Sequence, residues 1–271
     1  MAFSFFDRAP RVALVRLTGL IAAPTGRFST GLNDAGIGPV LDRAFAIKRL
    51  AAVLLVVNSP GGSPVQSALI ANRIRRLAEE KKVPAIAVVE DAAASGGYWI
   101  ACTADEVIAN PASILGSIGV ISAGFGFEQA IARLGVERRL RTAGSEKSFL
   151  DPFAPQREQD VARLEDLLGK LHQEFKSWIR ARRGARLTAP EEQLFTGRFW
   201  TGREAVGLGL ADGLGDAESE AKRRFGDKVK IIRVGPRRRG FPWRLLPGAR
   251  EGVEALAAVT EERAAWARLG L

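Results

Sequence analysis

Apolar and polar positions alternate through Arg11–Leu17, the two-residue period of a strand with one buried face. At Val40–Leu50 the spacing becomes helical, and Pro39 stands just ahead as a start signal. Ala51–Val57 is a short continuous apolar run, the pattern of a strand covered on both faces. Asn58–Ser63 then reads as a turn and Pro64–Lys81 as a helix. Pro84–Glu90 repeats the buried-strand pattern, Ala93–Cys102 reads as a helix, and Glu106–Ala109 as a third such strand. The longest predicted helix covers Gln156–Arg183, with Val161, Leu164, Leu168, Leu171, Phe175 and Trp178 in one stripe at steps of three and four. Val229–Val234 suits a late strand, and Arg250–Leu271 a terminal helix with a weak apolar face.

Strands that alternate with helices pair in parallel through right-handed crossovers. The expected fold class is therefore α/β, a mostly parallel sheet with flanking helices. Residues 1–235 form the expected main domain; residues 236–271 form a basic, aromatic connector and the terminal helix. The uncharged run Leu17–Gly26 is too short to span a bilayer, which takes about 20 apolar residues. The longer runs Ala51–Asn72 and Val107–Phe127 carry Gly, Pro and Ser in their middles and read as buried strand–turn–helix segments. With no export signal read at the N-terminus, the expected location is cytoplasmic, peripheral to the inner membrane.

Composition narrows the chemistry. The chain of 271 residues has one cysteine, Cys102, and one histidine, His172, so zinc sites built from His and Cys are excluded. No metal or cofactor is expected. A formal charge of +10 favours anionic partners: nucleic acid, acidic polypeptides or an anionic membrane face. No nucleic-acid-binding motif accompanies the charge, so nucleic acid is not an expected partner. The stretch Arg237–Arg244 suits contact with anionic lipid, at about 1 kcal/mol per basic residue near the surface; the plainer reading is an exposed connector.

In an open parallel sheet, ligands gather where strands end and helices begin. Two junctions carry candidate chemistry. Asn58-Ser59-Pro60-Gly61-Gly62 follows the first buried strand, and its glycine N–H groups sit just before a helix, a setting that favours negative charge. Glu90-Asp91-Ala92-Ala93-Ala94-Ser95-Gly96-Gly97-Tyr98 places a serine among small residues at the next helix start. Ser95 reads either as an N-cap or as a nucleophile whose oxyanion is held by N–H groups of Gly96 and of Gly62 or Gly61. A nucleophilic serine needs a base. His172 flanks the apolar stripe of the long helix, where a half-exposed residue is expected. The alternative is a lysine kept neutral by burial, and Lys147 precedes Phe149, Leu150 and Phe153, which would shield it; read alone, it is more simply a solvated loop lysine.

Taken together, Asn58-Ser59-Pro60-Gly61-Gly62, Ala94-Ser95-Gly96-Gly97-Tyr98 and Gly116-Ser117-Ile118-Gly119-Val120 resemble the motifs of the signal peptide peptidase A (protease IV) family, in that family's order and spacing. Lys147-Ser148 with Pro152-Phe153 resembles its catalytic-lysine segment. Gly197-Arg198-Phe199-Trp200-Thr201-Gly202 and Gly207–Gly215 resemble its closing motif. The resemblance covers roughly residues 10–220. It implies a Clp-protease/crotonase-like fold, a serine endopeptidase with Ser95 as nucleophile and Lys147 as general base, and oxyanion donors at Gly62 and Gly96. Gly61 would support the turn, and Ser117 would orient Lys147. It further implies a signal peptide or other short or unfolded polypeptide as substrate, and a homo-oligomer whose neighbouring subunits complete the site. Glu146 beside Lys147 departs from the pattern, because a paired acid would favour the charged amine. The rival readings are an inactive scaffold of the same fold and a crotonase-like acyl-CoA enzyme, which needs neither Ser95 nor Lys147.

Overall fold

The computed structural model describes residues 9–24, 31–144, 146–236, 259–260 and 262–271. In chain order the first half contains β1 (Arg11–Thr18), α1 (Asp34–Phe45), β2 (Leu50–Ser59), α2 (Pro64–Lys81), β3 (Ala85–Ala94), α3 (Gly96–Ala101), β4 (Glu106–Ala109) and β5 (Ile114–Gly116). The second half contains α4 (Glu128–Arg133), α5 (Glu158–Arg183), α6 (Glu191–Leu194), β6 (Phe199–Thr201), α7 (Gly202–Gly207), β7 (Gly213–Leu214), α8 (Ala217–Phe225) and β8 (Lys230–Arg233).

These strands make one eight-stranded sheet, with the path β6-β5-β3-β2-β1-β8. All of its pairings are parallel except β5 with β6. Alternation along β1–β3 sorts side chains into two layers. Val15, Leu55 and Ala87 face α1, α2, α3 and the end of α5, while Val12, Leu54 and Ile86 face Ala221 and Phe225 of α8. Both faces of the central strands are covered, which is why their sequences read as unbroken apolar runs.

The split in β3 positions the functional region. Ile86–Val89 pair with β4, whereas Ala92–Ala94 pair with β5. Between them the ladder with β2 shifts register. Asn58 bridges this irregularity: its Nδ2 donates to Asp91 Oδ2 at 2.6 Å, and its Oδ1 accepts from the Ala92 N–H at 3.1 Å. The second partner, β5, holds residues 92–94 in strand geometry. The expected helix from Ala93 is thus corrected to one that starts at Gly96. Tertiary pairing has overridden the helix propensity of three alanines.

Two further expectations are corrected. Helix α1 begins at Asp34, with Pro39 inside it. Asn33 Oδ1 accepts from the Gly36 N–H at 2.9 Å, and Asp34 pairs with Arg73 at 2.7 Å. That cap and ion pair set the start, while Pro39 removes a single N–H. The apolar stripe on α5 is only partly buried: Phe175 and Ile179 enter the core, whereas Leu167 and Leu171 are exposed.

The C-terminal end of α5 is locked by a buried ion pair. Arg183, 1% exposed, donates to Asp212 at 2.7 Å and to the Gly209 carbonyl at 2.6 Å. Asp212 also accepts from the Val107 N–H at 2.7 Å. Nearby, the Tyr98 hydroxyl donates to the Leu210 carbonyl at 2.7 Å. The motif Gly207–Gly215 is therefore the clasp that ties α5, β4 and α3 together.

Residues 262–267 are helical. The Arg237–Arg244 stretch and the beginning of the helix expected from Arg250 lie outside the described residues. No helix among the described residues is long and apolar enough to cross a membrane.

Candidate active site

The turn after β2 is built around its own side chains. Ser59 Oγ donates to the Gly19 carbonyl at 2.7 Å and accepts from the Gly61 N–H at 3.2 Å. Gly61 and Gly62 have φ of 103° and 136°. A Cβ on Gly61 would lie 2.8 Å from the Ser95 Cβ, and one on Gly62 only 2.0 Å from the Ile21 carbonyl oxygen. Backbone meets backbone here, and no side chain fits between.

Ser95 sits at the break between β3 and α3 with φ 50° and ψ −120°. A non-glycine residue in that region costs about 1–3 kcal/mol and persists only where its surroundings impose it. The imposing contacts are the bonds from the Ser95 N–H to the Gly116 carbonyl, at 2.8 Å, and from the Trp99 N–H to the Ser95 carbonyl, at 3.0 Å. Ser95 is the N-cap residue of α3 by position, but its hydroxyl makes no capping bond to the helix.

Gly96 follows, and the position of its would-be Cβ lies 3.4 Å from the Gly62 nitrogen. The Gly61 N–H is satisfied by Ser59, but neither the Gly62 nor the Gly96 N–H has an acceptor among the described residues. Two neighbouring N–H groups without acceptors, beside a serine hydroxyl that caps nothing, make the geometry of an oxyanion hole. Ser117, with φ 52°, closes the opposite side, its N–H bonded to the Arg198 carbonyl at 2.7 Å. Gly61, Gly62, Ser95, Gly96 and Ser117 all line one cleft of about 410 Å³.

The cleft wall is largely apolar. Trp99 stacks on Phe175 at 4.8 Å between ring centroids, and Leu20, Val120, Ile121 and Leu171 continue the lining. An extended peptide would present side chains to that wall while its carbonyl meets Ser95. Among the described residues, no group of three or more His, Cys, Asp or Glu side chains is placed to hold a metal.

Lys147 is not among the residues that line the cleft; it is exposed in a turn before α5. Phe149, Leu150 and Phe153 do not shield it as expected. Phe149 lies under the Arg163 guanidinium, and Phe153 packs on Phe127 and under Arg138. Glu146 pairs with Arg163 at 2.9 Å, so its charge is met by that residue. No contact joins Ser117 to Lys147. His172 Nε2 donates to the Ile118 carbonyl, 3.1 Å away, and the ring stands outside the cleft lining. Burial lowers its pKa below the usual imidazole value, against the opposing effect of that bond.

Sequence reasoning missed several cleft residues. Trp99 and Phe175 carried a signal, a helical stripe next to the serine motif. Ala265, Arg268 and Leu269 carried none, because only the three-dimensional path of the chain brings them to the cleft.

Gly62→Ala is the sharpest test of the turn. The added methyl must displace the Ile21 carbonyl, and φ 136° is hostile to any L side chain. Loss of one oxyanion donor costs about 10²–10³ in kcat. We expect at least that loss in steady-state peptide hydrolysis, with a lowered Tm.

The chain matches the model of peptidase family S49 over residues 77–231. It is 45% identical, over 96% of its length, to a protein of Brucella abortus (strain 2308) described as the Na(+)/H(+) antiporter NhaA, and it spans 37% of that protein. It is 29% identical to the chloroplastic serine protease SPPA of Arabidopsis thaliana, over 83% of this chain and 34% of that one. It is also 30% identical to a putative protease of Synechocystis sp., over 77% of this chain and 71% of that one. The chain thus spans little more than a third of the Brucella and Arabidopsis relatives.

Proposed function

The chain belongs to peptidase family S49, and from that premise we propose that it hydrolyses peptide bonds with Ser95 as nucleophile and Lys147 as general base. The observation that carries the reading is the strained Ser95 beside the two N–H groups of Gly62 and Gly96, which lack acceptors. Ser95 Oγ attacks the peptide carbonyl carbon as its proton passes to the neutral Lys147 amine. The carbonyl oxygen, now negative, accepts from the Gly62 and Gly96 N–H groups. The C–N bond breaks, and the proton on Lys147 goes to the leaving amine. Water then repeats the sequence on the acyl-serine, releasing the acid and restoring Ser95.

Lys147 joins this site in an assembly of identical chains. Residues 121–144, with 146 and 147, are almost wholly exposed, and they carry Ile121, Phe125, Leu134 and Val136 outward. Leu167 and Leu171 of α5 are exposed as well, and Ile121 and Leu171 also line the cleft, so uncovered apolar side chains of the kind that mark interfaces adjoin it. Packing a neighbouring chain on this surface would bury it and bring a lysine segment to a Ser95. The substrate class is short or unfolded polypeptide, since the cleft admits an extended chain and its wall takes apolar side chains.

A serine-reactive fluorophosphonate probe tests the dyad. Wild type is expected to be labelled, and Lys147→Ala to be labelled at least about 10²-fold more slowly, the usual contribution of a general base. If the dyad closes between chains, mixing Ser95→Ala with Lys147→Ala restores peptidase activity that neither shows alone. Equal labelling of wild type and Lys147→Ala removes Lys147 from the mechanism. No labelling of wild type favours the silent scaffold.

A further inference from the structure

The described C-terminal segment reaches the cleft that holds Ser95. Ala265 and Leu269 add to its apolar wall, and Arg268 stands between them. Among the described residues that line the cleft, Arg268 is the only one with an ionisable side chain. Its backbone N–H is satisfied by the Ala264 carbonyl at 3.3 Å. Its guanidinium has no ion-pair or hydrogen-bond partner among the described residues. The acidic side chain of Glu262, on the same segment, is turned toward Gly19, where its Oε1 lies 3.1 Å from the position of a would-be Cβ.

Most of the described arginines are used differently. Arg16, Arg73, Arg75, Arg180, Arg183 and Arg224 each meet a carboxylate. A planar guanidinium with five donors, left without an acceptor at the edge of an apolar, uncharged cleft, is complementary to a carboxylate that arrives with the ligand. Low-polarity walls strengthen that attraction once bound ligand displaces water. The net charge of +10 draws acidic chains toward the protein in the same sense.

Resting on the reading of the cleft as a peptidase site, we propose that Arg268 selects peptides that carry a carboxylate near the bond held at Ser95. An acidic side chain or a free chain terminus would supply the same chemistry. Arg268 is thus a specificity residue that touches substrate away from the reacting atoms. The apolar wall and the guanidinium together favour a segment of apolar residues with one acid.

The test uses the full chain carrying Ser95→Ala, so that binding is read without cleavage. Fluorescent peptides with an apolar sequence are compared in pairs by anisotropy. One series sets Glu against Gln at successive positions, and a second sets a free C-terminus against an amide. The expected result is a tenfold to hundredfold tighter binding of the carboxylate member at a restricted position, about the range of a charge-assisted hydrogen bond. The series that shows it identifies the source of the carboxylate. Adding Arg268→Gln should collapse the ratio to near one through loss on the carboxylate member, and Arg268→Lys should keep part of it. Arg268 is exposed, and circular dichroism checks that the fold persists.

Equal binding of both members in every pair overturns the proposal. So does a preference that survives Arg268→Gln. If Arg268→Gln tightens both members equally, the segment obstructs the cleft and does not select. Wild-type cleavage of the same peptides is measured separately. An absence of cleavage, with a preference that Arg268→Gln still abolishes, would overturn the peptidase reading and leave the selection standing.

Discussion

Ser95→Ala is expected to lower kcat for peptide hydrolysis by roughly 10⁶-fold, the scale found when a hydrolase loses its serine nucleophile. Nothing else in the cleft can replace it. Ser117 and Thr196 share the lining, but among the described residues only Ser95 directly precedes Gly96 and packs against the Gly61 turn. Cys102 is fully buried, and its burial pushes the thiol up to about 12, so no thiolate is available nearby. The substitution should barely disturb the fold. It keeps the Cβ, and the hydroxyl it removes makes no bond to α3. A stability change below about 0.5 kcal/mol is expected from denaturant titration. Loss of activity with unchanged stability separates chemistry from structure. Retention of full activity would remove Ser95 as nucleophile.

The largest effect on stability is expected from Arg183→Met. The side chain is 1% exposed and bonds directly to Asp212 and to the Gly209 carbonyl. Asp212 keeps Arg186 at 3.4 Å and the Val107 N–H, so losing Arg183 should cost less than the roughly 3–5 kcal/mol of breaking a fully buried pair. The penalty has a pH signature. Burial alone would raise the Asp212 carboxyl, but the Arg183 bond, the Val107 N–H and the Arg183 charge outweigh it and hold the carboxyl below the usual range. Such a group contributes stability above its unfolded pKa of about 3.9, and that contribution is lost as pH falls through the lower folded value. Without Arg183 the folded pKa rises, so the acid limb of the stability curve should move to higher pH. Urea titrations across pH would read both effects. Arg183→Met with Asp212→Leu should recover part of the loss, because no charge is then left buried. If the single variant unfolds at the wild-type urea concentration, the clasp is not what holds α5 to the sheet.

These two residues also show how differently fold and site were encoded. The central strands were legible because burial on both faces writes an unbroken apolar run, as in Ala51–Val57 and Pro84–Glu90. Helix α2 was legible from Pro64 to Lys81 because its turn, its cap and its apolar spacing agree. The short strands β5, β6 and β7 were not, since two or three residues carry no period. The role of Arg183 was equally hidden. On the sequence it is one of several basic residues ending α5, and only the fold delivers Asp212 to it across 29 positions.

The sequence by itself determined the layered α/β class, the order of the main elements and the two glycine turns, because each depends on neighbours along the chain. It also placed Ser95 at a helix start, and the family resemblance marked Lys147 as the expected base. Tertiary structure decided the rest. The pairing of Ala92–Ala94 with β5 moved the start of α3 to Gly96 and forced Ser95 into its strained conformation. The contact of Gly61 with Ser95 and of Gly62 with Ile21 left two N–H groups without acceptors. The path of the C-terminal segment brought Arg268 to the cleft, and the outward turn of Lys147 left the proposed base beyond it. Local propensity acts over a few residues, whereas these features arise from contacts between segments far apart in the chain, and no periodicity records them.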